Sequence, residues 1–416
     1  MATAGLSRRI ARAVAWSGLN TLLTRLITIV VGAIAVRLMS HHDFGSYSVA
    51  LAVYLVISGF SEFGLSAALA RADLDPDEIG PSVSLLSIVV SLFTSAGLAL
   101  AAHPIAVALG APDATGPLRV LALCLLLTGV LTVPTGLLIR EFRQEAFLVA
   151  NLVCFVPSNA LLIFLAARGD GALAFAWSRV ADSVITGVVL VVFAKKLYRP
   201  RLHRDVAGSV LRFGIPVAGA NLVRFVLLNA EYLFISRLMG PAALGIYTLA
   251  FNVSSWASSV LGGIIFSVAM PAISHDKGDP VRLRSSLRHS VALVSLVAFP
   301  LVAVSIGLAH PLVGFIYGPR WGASAAILEI LGVYGALFVL ALLLGNVLTG
   351  LGLSGRLFIL QVVWLAALMP AMAIGVHLDG LKGAALAHVA TMLVIVIPAH
   401  LLALRRQVHG LARVVG

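Results

Sequence analysis

The chain has 416 residues, 60% of them hydrophobic and 11% charged, with a formal net charge of +12. Soluble globular domains run at about 45–50% apolar and about 25% charged residues, so a water-soluble fold would lack polar surface and the composition indicates an integral membrane protein. The basic residues fall in short clusters between apolar runs, which is the pattern of membrane orientation and not of nucleic-acid binding.

About 20 apolar residues in a helix cross a hydrocarbon core. On that length the chain is expected to be all-α with twelve transmembrane helices: 14–38, 44–69, 80–102, 118–138, 146–166, 172–194, 211–238, 244–270, 289–311, 325–349, 356–377 and 381–404. The first run follows the basic stretch SRRIAR and imitates a signal peptide, but it is too long for a signal core and carries Arg25 at its centre, so it reads as a span. Cys124 and Cys154 each lie inside an apolar run and read as packing residues.

Between the first two spans stands RLMSHHDFGSY, residues 37–47; between the seventh and eighth stands RLMGPAALGIY, residues 237–247. Six spans separate the copies, so the two corners have the same orientation. The expectation is a parallel repeat of two six-helix lobes, residues 1–200 and 201–416, joined by the basic linker KKLYRPRLHRD. With the N-terminus inside, twenty of the 29 Lys and Arg fall in cytoplasmic segments, six fall outside and three lie within spans: Arg25, Arg179 and Arg224. That bias places both termini in the cytoplasm of a multi-pass cell-membrane protein, with Ser40 and Pro241 external.

The segments 16–71 and 211–274 resemble the starts of the two halves of the polysaccharide-biosynthesis flippases, a branch of the multidrug/oligosaccharidyl-lipid/polysaccharide superfamily. The resemblance rests on the Asp43-Phe44-Gly45-x-Tyr47 turn, on Glu62-x-Gly64-Leu65 and on Gly214-Ile215-Pro216. Where the family commonly has Gly-Pro-Glu before the turn, this chain has Ser40, His41 and His42. The resemblance implies transport of a polyprenyl-diphosphate-linked oligosaccharide from the inner to the outer leaflet by alternating access. Its fold would be that of the MATE-like exporters. Its partners would be membrane lipids, a coupling ion such as H+ or Na+, and a polymerase or glycosyltransferases.

Ionisable groups deep in a bilayer cost about 2.5–3.5 kcal/mol each on insertion scales, so those present should face a cavity or a partner. Arg25, flanked on its face by Thr21 and Thr28, and Arg224, preceded by Asn221, stand at matching depth in the first and seventh spans. Guanidinium groups hold diphosphate oxygens in bidentate fashion and stay charged when desolvated. Glu62 and Glu231 read as counter-ions to these arginines or as coupling sites for a cation. Tyr54 and Ser58, in a polar stripe with Tyr47 and Ser61 that is answered by Tyr247, Ser254 and Ser258, suit sugar hydroxyls, and equally suit helix packing. Arg179 and Asp182 read as a local pair, and His388 and His400 as hydrogen-bonded packing residues. No phosphate-binding loop, dinucleotide fingerprint, nucleophile elbow or His/Cys metal spacing occurs, so neither enzyme chemistry nor a cofactor is expected. The alternatives left open are a cation-coupled drug or metabolite antiporter of MATE type and, from another class, a membrane glycan polymerase or acyltransferase.

Overall fold

The structure, a computed structural model, describes residues 30–61, 65–70, 75–141, 143–202, 204–264, 280–351 and 353–414. Among these residues the secondary structure is helical throughout, without a strand. In chain order the helices are α1 (30–38), α2 (His41–Ser61), α3 (Leu65–Ala70), α4 (Pro76–Ala108), α5 (Thr115–Arg140), α6 (Gln144–Arg168), α7 (Ala172–Ala194), α8 (Arg204–Ile264), α9 (Pro280–Gly307), α10 (Ala309–Tyr317), α11 (Gly322–Gly350), α12 (Ser354–Thr391) and α13 (Ile397–Val414). A π-helical turn, Met392–Val396, joins α12 to α13. Eight helical stretches among the described residues are long and apolar enough to cross a membrane. Two of them, within α8 and α12, are broken: Gly240 has φ 81° and ψ 173°, and Asp379–Gly380 leave the helical region. Both breaks fall where the sequence predicts a turn between two spans.

The outward surface is that of a protein in lipid. Leu100, Phe315 and Leu378 are more than four-fifths exposed, and Phe93, Val394 and Leu296 more than two-thirds. Between helices the packing uses small residues. On α4, Ser84, Ser87, Ser91, Ser95, Ala102 and Ala106 are buried at helical spacing. Ser87 and Ser95 donate to the carbonyls of Gly129 and Ala122 on α5, at 2.8 and 2.7 Å. Hydroxyls bonded to a neighbouring backbone allow close approach in a solvent that offers no hydrogen bonds of its own. Cys124 and Cys154 are buried free thiols.

The duplicated corner is where the halves meet. α2 crosses α8 so closely that a Cβ on Gly45 would stand 1.7 Å from the Pro241 carbonyl oxygen, and a Cβ on Gly245 2.1 Å from that of His41. Each glycine is blocked by the residue four positions before the other, so the contact is reciprocal at the 200-residue offset of the repeat. The two copies start their helices by different chemistry. In the first, the Ser40 side chain accepts from the Asp43 amide at 3.1 Å and the Asp43 carboxylate accepts from the Ser40 backbone amide at 3.4 Å, a capping box. In the second, Gly240 turns the chain and Pro241 occupies the first helical position, where its missing amide hydrogen is not needed.

Further bonds close the corner end. Arg37 donates to the carbonyls of Phe315 and Ile316, His41 donates to that of Arg320 at 2.8 Å, and Ser236 donates to that of Leu109 at 2.8 Å. His41 and His42 thus have structural work: His41 also lies edge-on to Trp321 with ring centroids 4.4 Å apart, and His42 stands 3.5 Å from Asp113. At the other end, residues 195–202 lie under the start of α4. Lys196 and Tyr198 both donate to Asp77, and the Arg201 amide donates to the Pro81 carbonyl at 3.2 Å. The Asp77 carboxylate holds the Lys196 ammonium above the usual lysine range.

Candidate functional site

In the second half, α8, α11, α12 and the π-helical segment with α13 surround a cavity of about 540 Å³. Arg224 and Glu231 both face it, seven residues or about 10 Å apart on one face of α8. Arg224 is exposed into this space and makes no ion pair among the described residues. Glu231 is only 8% exposed, and behind it lies His388, fully buried, with Nε2 2.9 Å from Glu231 Oε2. The pair is close in distance but off the line of a hydrogen bond, and His388 Nδ1 also lacks a partner among the described residues. Rings enclose the pair: Tyr334 lies 4.8 Å from the imidazole, Phe251 6.0 Å and Tyr247 6.3 Å.

Glu231 therefore pairs across helices with a histidine that the sequence marks as a packing residue, and not with Arg224 on its own helix. One signal for His388 lies in the repeat. Asp170-Gly171 and Asp379-Gly380 are equivalent turns, with φ/ψ of 52°/−128° at Gly171 and 54°/−131° at Gly380, a conformation that residues with a Cβ rarely adopt. Eight residues beyond these glycines stand Arg179 and His388. His388 lies beside Tyr247, the counterpart of Tyr47, with ring centroids 6.3 Å apart. Arg179 and Asp182, a local pair by their spacing, make no hydrogen bond or ion pair with each other among the described residues.

Of the residues marked in sequence, Thr21, Arg25, Thr28 and Glu62 lie outside the described residues. Asn221 is half-buried on α8, one turn before Arg224. Tyr54 is buried on α2, and the Ser58 hydroxyl donates to the Leu55 carbonyl of its own helix at 2.8 Å. In the second copy of the stripe, Ser254 donates to the Leu331 carbonyl, which is packing, and the Tyr247 hydroxyl is buried without a partner among the described residues. The sequence reading passed over Asn346, Gln361 and Trp364, all of which line the cavity beside His400. They are polar groups inside apolar spans, and a search widened from ionisable to amide and indole side chains would have found them.

The architecture matches known membrane transporters. The chain superposes on a multidrug resistance MATE family transporter of the MOP superfamily in its inward-facing conformation with a TM-score of 0.77, at 17% identity over 94% of this chain and 96% of the other. On the lipid II flippase MurJ, in an inward closed conformation, the score is 0.75 at 12% identity, over 93% of this chain and 87% of the other. The fold is thus that of an all-α MATE-type membrane transporter. Residues 34–326 match the polysaccharide biosynthesis protein family, and the chain belongs to that family. Its relatives include the succinoglycan biosynthesis transport protein ExoT of Rhizobium meliloti (strain 1021), 27% identical over 79% of this chain and 66% of the relative. Another is the lipopolysaccharide biosynthesis protein WzxC of Escherichia coli (strain K12), 23% identical over 89% of this chain and 76% of the relative. The chain thus spans about two thirds to three quarters of the length of these relatives.

Proposed function

We propose that the protein is a flippase that carries a polyprenyl-diphosphate-linked oligosaccharide from the inner to the outer leaflet for surface polysaccharide assembly. Residues 1–200 and 201–416 act as two six-helix lobes that open alternately, with both termini and the basic linker in the cytoplasm. The headgroup crosses in the polar interior while the polyprenyl tail stays in the bilayer. Membership of a polysaccharide biosynthesis family supports this reading, as do relatives named for succinoglycan and lipopolysaccharide biosynthesis.

One observation carries it: Arg224 faces a membrane-embedded cavity without an ion-pair partner among the described residues. An unpaired guanidinium in a low-dielectric site favours an anion, and a diphosphate satisfies its fork. Arg25, at matching depth in the first span and one position from the strict 200-residue equivalent of Arg224, is the matching donor of the first lobe, with Thr21, Thr28 and Asn221 beside the two arginines. Alanine at Arg224 or Arg25 leaves phosphate oxygens unmatched, a loss of about 1.5–3 kcal/mol or about ten- to hundredfold in affinity. Each alanine variant is expected to stop surface-glycan export at normal membrane abundance, with lysine intermediate. Full export from the Arg224→Ala/Arg25→Ala double variant would remove the diphosphate site.

Glu231 serves as the coupling group, taking up H+ or Na+ from the cavity while His388 holds it from behind. The groups nearest it are His388, the partly buried Tyr232, the buried Tyr247 and Tyr334, and Arg224 two turns before it on the same face of α8. Glu62, whose repeat equivalent is Gly262, is the candidate coupling or counter-ion carboxylate of the first lobe, so the two lobes are not electrically alike. The same carboxylate supports the second reading, a cation-coupled antiporter, for which the arginines would be dispensable; the export assay separates the two. A polymerase or glycosyltransferases working on the same lipid-linked glycan are the fitting partners.

A further inference from the structure

We propose that the cavity of the second half is a carbohydrate subsite that holds the sugar adjoining the diphosphate, with Asn346, Gln361, Trp364 and His400 reading its hydroxyls. The proposal rests on the flippase reading above. The volume, about 540 Å³, falls within the range of about 300–1,000 Å³ typical of small-molecule sites, enough for a short stretch of glycan and not for a long chain.

The wall chemistry selects a sugar. Tyr334, Phe338 and Trp364 follow one another along one side, with ring centroids 5.7 and 6.3 Å apart, an apolar face against which the C–H side of a pyranose packs. Four polar groups converge on the same space. The Trp364 indole N–H is buried with no protein partner among the described residues, an unmet donor that a ligand acceptor would satisfy. Asn346 and Gln361 bring amides that both donate and accept, and neither makes a side-chain hydrogen bond among the described residues. His400 Nδ1 donates to the Val396 carbonyl at 2.8 Å, so in the neutral ring Nε2 is an acceptor. A sugar hydroxyl is itself donor and acceptor, and this mixed set matches it.

A cationic drug is the poorer occupant. The Glu231 carboxylate that would attract it already faces His388 at 2.9 Å, and Arg224 in the same cavity repels it. A polyprenyl tail would leave the indole, the amides and the imidazole unmatched. Arg224 is close enough along α8 to keep a diphosphate at the edge of the cavity while the attached ring lies inside.

Binding to the full-length protein in lipid nanodiscs tests the assignment. The probes are farnesyl diphosphate and its glucosyl, galactosyl and N-acetylglucosaminyl derivatives. At least one glycosylated probe is expected to bind about tenfold tighter than farnesyl diphosphate, the gain of one or two net hydrogen bonds. Gln361→Leu, Asn346→Leu and Trp364→Phe should each weaken that probe about fivefold while farnesyl diphosphate binds as before, which also certifies that the variants are folded. Arg224→Ala should weaken all the probes together. Three glycosylated probes no tighter than farnesyl diphosphate would overturn the subsite while leaving the flippase reading standing, as would Gln361 and Asn346 variants that bind like the wild type. If no probe binds the wild type, the flippase reading itself falls and the subsite with it.

Discussion

Glu231 and His388 form a pair whose members depend on each other, because each is buried and neither has another ionic partner among the described residues. Removing one partner of a buried pair costs about 3–5 kcal/mol when the other keeps its charge, whereas replacing both by neutral groups of similar shape is often neutral. His388→Ala is therefore expected to lower the thermal stability of the purified protein strongly, and Glu231→Gln only mildly. The Glu231→Gln/His388→Ala double variant should recover much of the His388→Ala loss; additive losses in this double-mutant cycle would show that the two side chains do not interact. On transport, Glu231→Gln should reduce export and flatten its pH dependence. A pH profile unchanged from the wild type would leave Glu231 as a purely structural partner of His388.

The crossing of α2 and α8 leaves no room for a single added methyl group. At Gly45 and Gly245 the obstructing atoms are backbone oxygens, which cannot rotate away as a flexible side chain would. Alanine at either position must push the helices apart, and overpacking of this kind costs about 1–3 kcal/mol against the arrangement that needs the contact. That is about a five- to 150-fold shift toward any state in which the corner is open. Gly45→Ala and Gly245→Ala should therefore raise the labelling of a cysteine at Ser46, now 1% exposed, by a membrane-impermeant thiol reagent, and should impair export. Labelling that stays at the wild-type level would mean that the corner does not open during transport. The break in α12 supplies a second paired feature, since Gly171 and Gly380 share one backbone conformation and each precedes its basic residue by the same eight positions.

For the molecule as a whole, the parallel repeat expected from the sequence predicts that both corners lie on the side of the membrane opposite the linker. Ser40 and Arg201 are exposed and suit cysteine reporters, but Pro241, the reporter that the sequence alone suggests, is buried against Gly45. Its neighbour Ala242 is exposed and replaces it. External thiol reagent is expected to label Ser40→Cys and Ala242→Cys and to spare Arg201→Cys in intact cells. Labelling of one corner alone would break the orientation inferred from the basic residues. The corner-end bonds of Arg37, His41 and Ser236 belong to the same large-scale geometry: they tie each half to the other and close that end of the molecule, while the cavity stands open between the helices of the second half.

Composition and the apolar runs were enough to determine from sequence that the chain is an all-α membrane protein, because only internally bonded helices carry so much apolar sequence through lipid. The duplicated corner was likewise legible, as a fixed offset of identical residues. Why the corner is written twice was not, since it depends on two helices 200 positions apart meeting at Gly45 and Gly245. The site divides in the same way. Arg224 and Glu231 could be marked individually, because a charge inside an apolar span is conspicuous in one dimension. The partner of Glu231 could not be, because helical spacing favours Arg224 on the same face, while packing brings His388 from α12 to within 2.9 Å. Gln361 and Trp364 share a face of α12 by their spacing, but nothing in sequence connects them to Asn346 or His400, and only the way α11, α12 and α13 close around one cavity makes the four neighbours. Local pattern decides which groups are too polar for lipid; tertiary packing decides which of them share a space, and that is what makes a site.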